Sequence, residues 1–371
     1  MKQKIVYGID VLEEVVAALD CRNVLLVVDS SFPYLNIRRQ VESMKVSYVV
    51  FDQFGSNPLY EDVCKGVELF RSKKCDGIVA VGGGSCIDVA KCIKLYCKMN
   101  PKVDYLKQEA FDSGVPLVAI PTTAGTGSES TRFAVIYYEG KKQSVNHESI
   151  IPNYAILEPR VLATLPTYQK KCTVMDALCQ GIESWWSVNS NEESKSFSRK
   201  AVEILRATIR PYVEGSADEG VLSGVSECVM IAANYAGQAI NISQTTAPHA
   251  FSYKLTSMYG LPHGHAVAVG LPSIWEYMLQ HPECCVDSRG EEYLSSVFSE
   301  IAATLCCGTA MEAVGYIRGL LEEMQLFSPV AKEREKELSI LVSSVNSVRL
   351  KNNPVRLDED AIVNLYRSIL K

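Results

Sequence analysis

The chain lacks the features that mark several large classes of protein. No apolar run approaches the ~20 residues that a membrane-spanning helix needs, and the N-terminal stretch MKQKIVYGID has no apolar run long enough for a signal peptide. Basic residues are not clustered, and 37 lysines and arginines stand against 43 acidic residues, for a formal net charge of −6. A nucleic-acid partner requires a positive surface. The sequence therefore predicts a cytoplasmic protein with no membrane and no nucleic-acid partner.

Cysteine is plentiful, but it lacks the spacing that disulfide-rich and zinc-binding domains use. None of the 13 cysteines stands in a CxxC motif. The adjacent pairs Cys284–Cys285 and Cys306–Cys307 and the scattered single cysteines form neither a disulfide framework nor a zinc ribbon. We expect free thiols in a reducing compartment.

The length of 371 residues predicts two domains, and the first shows an alternating pattern. Helical segments alternate with continuous apolar runs, which are typical of strands buried on both faces of a parallel sheet. The runs are Asn23–Asp29, Ser47–Phe51, Gly77–Val81 and Pro116–Ile120. The helical segments between them are Glu61–Lys73 and Ile87–Lys98. This alternation predicts a doubly wound α/β domain.

The pattern changes near Glu158–Thr167, where two prolines and several polar residues interrupt the chain. The strand signal ends there, and from Cys172 onward the pattern is helical. Loops are predicted at Gly215–Gly220, Tyr259–Gly264 and Lys351–Pro354. We therefore divide the chain into an α/β domain at residues 1–165 and an all-helical domain at residues 166–371.

Two glycine-rich loops follow successive predicted strands. Gly77–Val81 runs directly into Gly82-Gly83-Gly84-Ser85, and a helix then begins with Asp88 in its first turn. Such a loop brings backbone N–H groups and a helix N-terminus close to a pyrophosphate, although a tight turn without a ligand has the same appearance. The second loop, Pro121–Glu129, follows the next strand. Because open α/β sheets bind ligands at the carboxyl ends of their strands, the two loops together indicate a dinucleotide site.

Asp29 ends the first of the apolar runs. A carboxylate there accepts hydrogen bonds from an adenosine ribose and repels a 2′-phosphate, which favours NAD over NADP. The alternative is that Asp29 only caps the end of the strand.

Histidine is scarce, and three of the five histidines stand close together at His249, His263 and His265. Asp176 and Gln180 are four residues apart and share one face of a predicted helix that is otherwise apolar. A carboxylate on such a face needs a partner. Two imidazoles, a carboxylate and an amide oxygen suit a divalent metal ion. An exposed helix face and a hydrogen-bonding loop histidine remain the alternative interpretation.

Together these segments resemble the iron-containing (group III) alcohol dehydrogenase family, within the wider dehydroquinate synthase-like superfamily. The resemblance runs nearly end to end, and its main motifs are GGGSCIDVAK at 82–91, IPTTAGTGSE at 120–129 and HAFSY…PHGHA at 249–266. It implies an N-terminal Rossmann-like domain, a C-terminal helical domain, and a cleft for the cofactors. The implied cofactors are NAD, with NADP possible, and one divalent metal ion, Fe²⁺ or Zn²⁺.

The resemblance also implies roles for individual residues. The implied metal ligands are Asp176, Gln180, His249 and His263. The implied dinucleotide contacts are Asp29, Gly82, Gly83, Gly84, Ser85, Asp88, Thr122, Thr123, Thr126, Ser128 and Lys142. Lys142 matches a lysine that lies near the nicotinamide, and it joins His263 and Tyr253 as the expected catalytic residues.

Two positions depart from the usual pattern of the family. Gln180 and Tyr253 stand where these alcohol dehydrogenases usually have histidine. Gln180 still offers a neutral oxygen to a metal ion, and Tyr253 takes the place of a histidine tied to proton relay. With these two residues, the sequence resembles one branch of the family, the phosphonoacetaldehyde reductases. These enzymes reduce an aldehyde to a primary alcohol, 2-hydroxyethylphosphonate. A phosphonate needs cations in its pocket, and Arg132 and Lys254 are the candidates, together with Lys142.

Other functions remain open at this stage. The same family includes short-chain alcohol, lactaldehyde and propanediol dehydrogenases, and the superfamily includes dehydroquinate synthase-like lyases. A cofactor-binding protein without catalysis is a further alternative. The expected partners are a small aldehyde or alcohol and further copies of the chain, in a homodimer or larger oligomer that the resemblance places at Lys4–Tyr7.

Overall fold

The computed structural model describes residues 3–215 and 218–371, except for the side chain of Glu219, and these form two compact units. The first unit runs as far as Leu165 and also includes Asp218–Met230, whereas the second contains the remainder from Pro166 onward. The sequence-based division assigned Asp218–Met230 to the helical domain. Part of the loop predicted at Gly215–Gly220, residues 216 and 217, lies outside the described residues.

A six-stranded parallel sheet forms the centre of the first unit. The strands of the unit are β1 (Lys4–Tyr7), β2 (Asn23–Val28), β3 (Ser47–Phe51), β4 (Gly77–Gly82), β5 (Leu117–Pro121), β6 (Phe133–Tyr138), β7 (Lys141–Asn146) and β8 (Tyr154–Leu157). The order in the sheet is β1-β8-β5-β4-β2-β3, and β6 and β7 form a separate antiparallel hairpin. The four apolar runs of the sequence are thus neighbouring strands, which confirms the predicted α/β fold.

The described chain up to Leu165 has four α-helices: α1 (Leu12–Ala18), α2 (Arg38–Glu42), α3 (Tyr60–Ser72) and α4 (Gly84–Tyr96). The first part of a later helix, up to Met230, also belongs to the first unit. Ile87, Val89 and Ile93 of α4 are fully buried in one apolar cluster with residues of β2 and β4 such as Leu25 and Ile78. The burial of these side chains fixes the start of α4, and with it the glycine loop, at the edge of the sheet.

The strand order reverses between β2 and β4. The chain runs from β2 to β3 on one side and then returns to place β4 on the other side of β2. In open α/β sheets, ligands bind beside the carboxyl ends of the strands at such a reversal. The segments after β2 and β4, which carry Asp29 and the first glycine loop, lie at this position.

The second unit is helical, as the sequence predicts. The helices after the sheet are α5 (Thr167–Trp186), α6 (Glu192–Glu214), α7 (Glu219–Ser243), α8 (Ala247–Tyr259), α9 (His263–Ala268), α10 (Leu271–Gln280), α11 (Glu291–Thr304), α12 (Ala310–Glu323), α13 (Arg334–Ser343), α14 (Ser347–Leu350) and α15 (Glu359–Ile369). Helix α5 is central, since every residue of its Cys172–Trp186 segment is buried. Among the described residues, we find no helix with both the length and the apolar character of a membrane span.

Helix α9 approaches the backbone of α5 very closely. A Cβ atom added at Gly264 would lie 2.0 Å from the carbonyl oxygen of Cys172 and 2.8 Å from Cβ of Asp176. Only glycine fits such a contact, and it brings the neighbouring His263 beside Asp176.

We expect Gly264→Ala to destabilise the protein by roughly 3 kcal/mol, because its methyl group must displace backbone atoms of α5. The matched control is Gly315→Ala in α12, where an added Cβ meets nothing within 4 Å, and which should stabilise the protein by roughly 0.5–1 kcal/mol. The free energy of unfolding in urea measures both effects. Equal stability of the two variants would contradict the assigned contact between α5 and α9.

Candidate metal centre and dinucleotide loops

Three potential metal ligands meet in the second unit. Asp176, His249 and His263 each direct a ligand atom to a common region, and these atoms lie within 4.8 Å of one another. In the described part of the chain, they are the one group of three or more His, Cys, Asp or Glu residues with this geometry. Three different helices supply them: the middle of α5, the first turn of α8 and the first residue of α9.

The charges and contacts of this cluster suit a cation. Oδ1 of Asp176 is buried and lies 3.4 Å from Nε2 of His249, yet within the described residues it accepts no hydrogen bond of acceptable geometry. The rings of His249 and His263 are 5.3 Å apart. Burial raises the pKa of Asp176, but the two imidazoles lower it more, so that the carboxylate stays ionised. A buried carboxylate oxygen that faces imidazole nitrogens fits a divalent metal ion.

Gln180 lies one helical turn after Asp176, and only 3% of its surface is exposed. A hydrogen bond joins its side chain to the carboxylate of Asp176 and helps to lower the pKa of that carboxyl group. The sequence-predicted fourth ligand therefore lies beside the cluster. An amide oxygen is a neutral ligand for a metal ion, as an imidazole nitrogen is.

Tyr253 and Lys254 extend from the next turn of α8. The ring of Tyr253 is nearly parallel to that of His263, at 13° and 6.1 Å between centroids. Lys254 is half-buried, and its ammonium group has no hydrogen bond or ion pair with any residue that the structure describes. His265, in contrast, does not join the cluster, because its two ring nitrogens contact the hydroxyl of Tyr168 and the carbonyl oxygen of Phe327, each at 2.9 Å.

Sequence reasoning missed one residue of this site. Glu183 is fully buried, and its Oε1 lies 2.5 Å from Nδ1 of His249. Burial lowers the pKa of His249, while Glu183 and Asp176 raise it, to about 10 overall. The available signal was the spacing, because Glu183 stands seven residues after Asp176 and therefore on the same face of α5.

The first glycine loop is held by Asp29. One carboxylate oxygen of Asp29 accepts the N–H of Gly83 at 3.0 Å, and the other accepts the N–H of Ser31 at 2.9 Å. A Cβ atom at Gly82 would lie 2.6 Å from Asp29. Asp29 thus lies at the sheet reversal, where it caps its own turn and holds the neighbouring loop.

The two glycine loops are in direct contact. The N–H of Thr122 donates to the carbonyl oxygen of Gly82 at 3.0 Å. A Cβ atom at Gly84 would lie 2.8 Å from Thr126, and one at Gly83 would lie 3.6 Å from Thr123. Ser85, in the first turn of α4, donates to the carbonyl oxygen of Ser56 at 2.5 Å. The structure therefore brings the residues expected around the dinucleotide to one edge of the sheet.

Asp88 and Ser128 point at each other and not toward solvent. Ser128 donates to Asp88 at 2.5 Å, and the second oxygen of Asp88 accepts the N–H of Val135 at 2.9 Å. The fully buried Lys91 donates to Ser128, to Thr131 and to a backbone carbonyl at distances of 2.8–3.1 Å. This polar cluster joins α4 to the second loop. Sequence reasoning missed Lys91, although it stands one helical turn after Asp88.

Lys142 and Arg132, the two cations of the first unit that the sequence analysis named, differ in their surroundings. Lys142 lies on β7 opposite Tyr137. Burial raises the pKa of Asp88 overall, and the charge of Lys142 is one of several contributions that oppose this rise. Arg132 forms an ion pair with Glu148 at 2.5 Å and lies over the ring of Phe133. Arg132 is therefore already balanced by a carboxylate, unlike Lys254.

A parallel sheet with one glycine loop at its reversal and a second after the neighbouring strand is typical of a dinucleotide site. Together with a carboxylate–imidazole cluster in the helical unit, it indicates a metal-dependent dinucleotide oxidoreductase. Sequence comparison supports this class. The iron-containing alcohol dehydrogenase model matches residues 2–159, and the C-terminal model of the same family matches residues 171–370. The chain belongs to the iron-containing alcohol dehydrogenase family, as the resemblance of its motifs predicts.

Two relatives illustrate the range of the family. Phosphonoacetaldehyde reductase of Streptomyces viridochromogenes is 31% identical over 307 residues, which are 80% of this chain and 76% of the relative. Alcohol dehydrogenase 4 of Schizosaccharomyces pombe is 27% identical over 365 residues, which are 94% of this chain and 82% of the relative.

Solved structures confirm the fold. Sulfoacetaldehyde reductase from Bifidobacterium kashiwanohense, in complex with NAD⁺, has a TM-score of 0.87 at 24% identity and covers 99% of this chain and 96% of its own. The iron-containing alcohol dehydrogenase of Thermotoga maritima has a TM-score of 0.82 at 27% identity, and the match covers 100% of this chain and 98% of that one. The enzymes of this family use NAD and a divalent metal ion, and the chain is an NAD-dependent alcohol or aldehyde oxidoreductase.

The buried lysine beside the loops gives a prediction about pH. Burial lowers the pKa of Lys91 to about 8 from its ordinary value of 10.5, although Asp88 and Glu129 raise it. Between these values the unfolded chain binds more protons at this residue than the folded chain, so its contribution to the free energy of unfolding increases with pH. From pH 8 to pH 10, wild type should therefore gain roughly 1–2 kcal/mol relative to Lys91→Met. Urea denaturation across this range measures the difference, and a constant difference would contradict the prediction.

Proposed function

We propose that the chain reduces phosphonoacetaldehyde to 2-hydroxyethylphosphonate with NADH. The observation that carries this proposal is the 31% identity, over 80% of this chain, to a phosphonoacetaldehyde reductase. The half-buried Lys254 on α8 supports it, because it stands next to Tyr253, whose ring stacks on His263. A phosphonate anion needs such a cation, whereas an uncharged short aldehyde does not.

In this proposal Asp176, Gln180, His249 and His263 hold the metal ion, which is iron or zinc. When bound, the metal ion supplies Lewis acidity at the carbonyl oxygen, and NADH supplies the hydride. Asp176 contributes the negative charge of the ligand set, and its burial keeps water away from it. The contact of α9 with α5 at Gly264 holds His263 beside Asp176.

The proton for the product alcohol comes from Tyr253 in this proposal. Its ring is nearly parallel to that of His263, at 6.1 Å between centroids, so Tyr253 is a neighbour of one proposed ligand. Lys142 has the role of the lysine that lies near the nicotinamide. Asp29, Gly82–Ser85, Thr122, Thr123 and Thr126 form the dinucleotide site, while Asp88 and Ser128 hold its two loops together.

Lys254 and Arg132 have the role of phosphonate ligands. Lys254 is the stronger candidate, because Arg132 is already paired with Glu148. We further propose that the chain forms its oligomer along β1, which pairs only with β8 in the described sheet and exposes Tyr7.

A general short-chain alcohol dehydrogenase is the second candidate. The match to Alcohol dehydrogenase 4 of Schizosaccharomyces pombe favours it, because that relative aligns with 94% of this chain. The two candidates differ in whether the pocket needs a cation for the substrate.

A substrate panel with Lys254→Gln separates these candidates. We expect wild type to prefer phosphonoacetaldehyde to acetaldehyde and propanal, and the variant to lose roughly 10–100-fold in kcat/KM for phosphonoacetaldehyde alone, since a charge-assisted hydrogen bond is removed. Lys336→Gln, an exposed lysine on α13, is the matched control. Steady-state NADH oxidation with added Fe²⁺ or Zn²⁺ gives these constants. A wild type without preference, or an equal loss for all aldehydes, would support the general dehydrogenase.

Tyr253→Phe tests the proton donor. The variant keeps the ring that stacks on His263 but loses the hydroxyl, and we expect turnover with phosphonoacetaldehyde to fall roughly 100-fold, as for the loss of a general acid. Bound metal per chain should be the same as in wild type. Unchanged turnover would remove Tyr253 from the proton transfer and assign this step to water or to a ribose hydroxyl.

A further inference from the structure

Glu183 is a buried acid that the proposed chemistry does not use. It lies in α5 with no exposed surface, and its two oxygens have different partners. Oε1 lies 2.5 Å from Nδ1 of His249, and Oε2 accepts the N–H of Thr246 at 2.8 Å and its hydroxyl at 3.0 Å. All its partners therefore lie at the start of α8. Burial of a carboxylate costs free energy that hydrogen bonds must compensate, and this carboxylate has three of them. Such an arrangement indicates a specific role for Glu183.

We propose that Glu183 is the positioning residue of the metal centre, because it fixes the tautomer and the orientation of His249. A neutral imidazole has one N–H and one lone pair. Since Glu183 accepts the proton of Nδ1, the nitrogen that would offer its lone pair to a metal ion is Nε2, which faces Asp176. A carboxylate behind a histidine ligand orients the ring and makes it a stronger donor. The inference rests on the ligand set proposed above.

Thr246 and Trp186 support Glu183 in turn. Thr246 is the residue that precedes α8, and its hydroxyl accepts a hydrogen bond from Nε1 of the buried Trp186 at 2.9 Å. The hydroxyl proton is therefore directed at Glu183. Because the carboxylate also accepts the N–H of Thr246, it lies at the N-terminus of α8, where the helix dipole favours a negative charge. A continuous buried chain of hydrogen bonds thus joins Trp186 to His249.

Because residue 180 is glutamine, the contact between Glu183 and His249 matters more for metal binding. The amide oxygen of Gln180 replaces an imidazole nitrogen of the usual family pattern, so fewer nitrogen ligands remain to hold the ion. The binding strength of the centre then depends more heavily on His249. We therefore expect the metal affinity of this chain to be sensitive to the acceptor behind that ring.

Metal affinity of the purified full chain tests the inference without any substrate. Glutamine at position 183 has one acceptor oxygen where glutamate has two, so either His249 or Thr246 loses its acceptor. We expect Glu183→Gln to raise the Kd for Zn²⁺, measured by chelator competition on the metal-free protein, by roughly 10–100-fold. Thr246→Val removes the hydroxyl that donates to Glu183 and accepts from Trp186 but keeps the backbone N–H that donates to Glu183, and its Kd should lie between those of wild type and Glu183→Gln.

Two further variants make the outcome decisive. Glu300→Gln is the matched control, because Glu300 accepts the indole N–H of Trp185 and does not touch the cluster; its Kd should stay within about twofold of wild type. His263→Ala tests the ligand set itself and should weaken binding more than any other variant. If His263→Ala binds Zn²⁺ like wild type, the proposed ligand set is wrong.

If His263→Ala weakens binding but Glu183→Gln and Thr246→Val both bind Zn²⁺ like wild type, Glu183 has only a structural role and the inference is overturned. If Glu183→Gln does not fold, Thr246→Val decides in the same way. A lower melting temperature with an unchanged Kd counts as a structural role, because stability and affinity are measured separately on the metal-free protein.

Discussion

The candidate metal centre depends on one carboxylate, Asp176, placed in the middle of a helix that is otherwise packed into the core. An ionised group at this depth requires compensating charge, and the surrounding chain supplies it from two other helices. The imidazoles of His249 and His263 lower the pKa of Asp176 and compensate for its burial. Each imidazole has its own support: Glu183 behind His249, and the close contact at Gly264 beside His263.

In the first unit, charged side chains likewise contact the two glycine loops. Charged side chains, of which Lys91 is fully buried, form hydrogen bonds that hold these loops. Asp29 connects the end of β2 to the first loop, while Asp88 and Lys91 connect α4 to the second. Polar residues that resemble ligand contacts in the sequence therefore include some whose hydrogen bonds are used inside the protein.

The sequence predicted β2, β4 and β5 because they are continuous apolar runs, as burial on both faces of a parallel sheet requires. The run of β3 was also recognised, although β3 lies at the edge of the sheet and Val50 is exposed. The β6–β7 hairpin was missed, since its second strand, KKQSVN, is too polar to stand out from a loop.

The proposed metal ligands were named from the resemblance to a family, whereas spacing alone left an exposed helix face as an alternative. Glu183 and Lys91 were not predicted, because a charged residue in a helical pattern is usually on the surface. Their partners, Thr246 and the 128–133 segment, are distant in the sequence and near only in the fold.

The contact between Gly264 and the carbonyl oxygen of Cys172 has a consequence for how such a centre changes over evolutionary time. Backbone atoms, and not the ligand side chains, set the separation of α5 and α9. A substitution at position 180 can therefore change the side chain beside Asp176 without changing this separation. The close approach of the two helices and the chemistry of residue 180 can thus vary independently of each other.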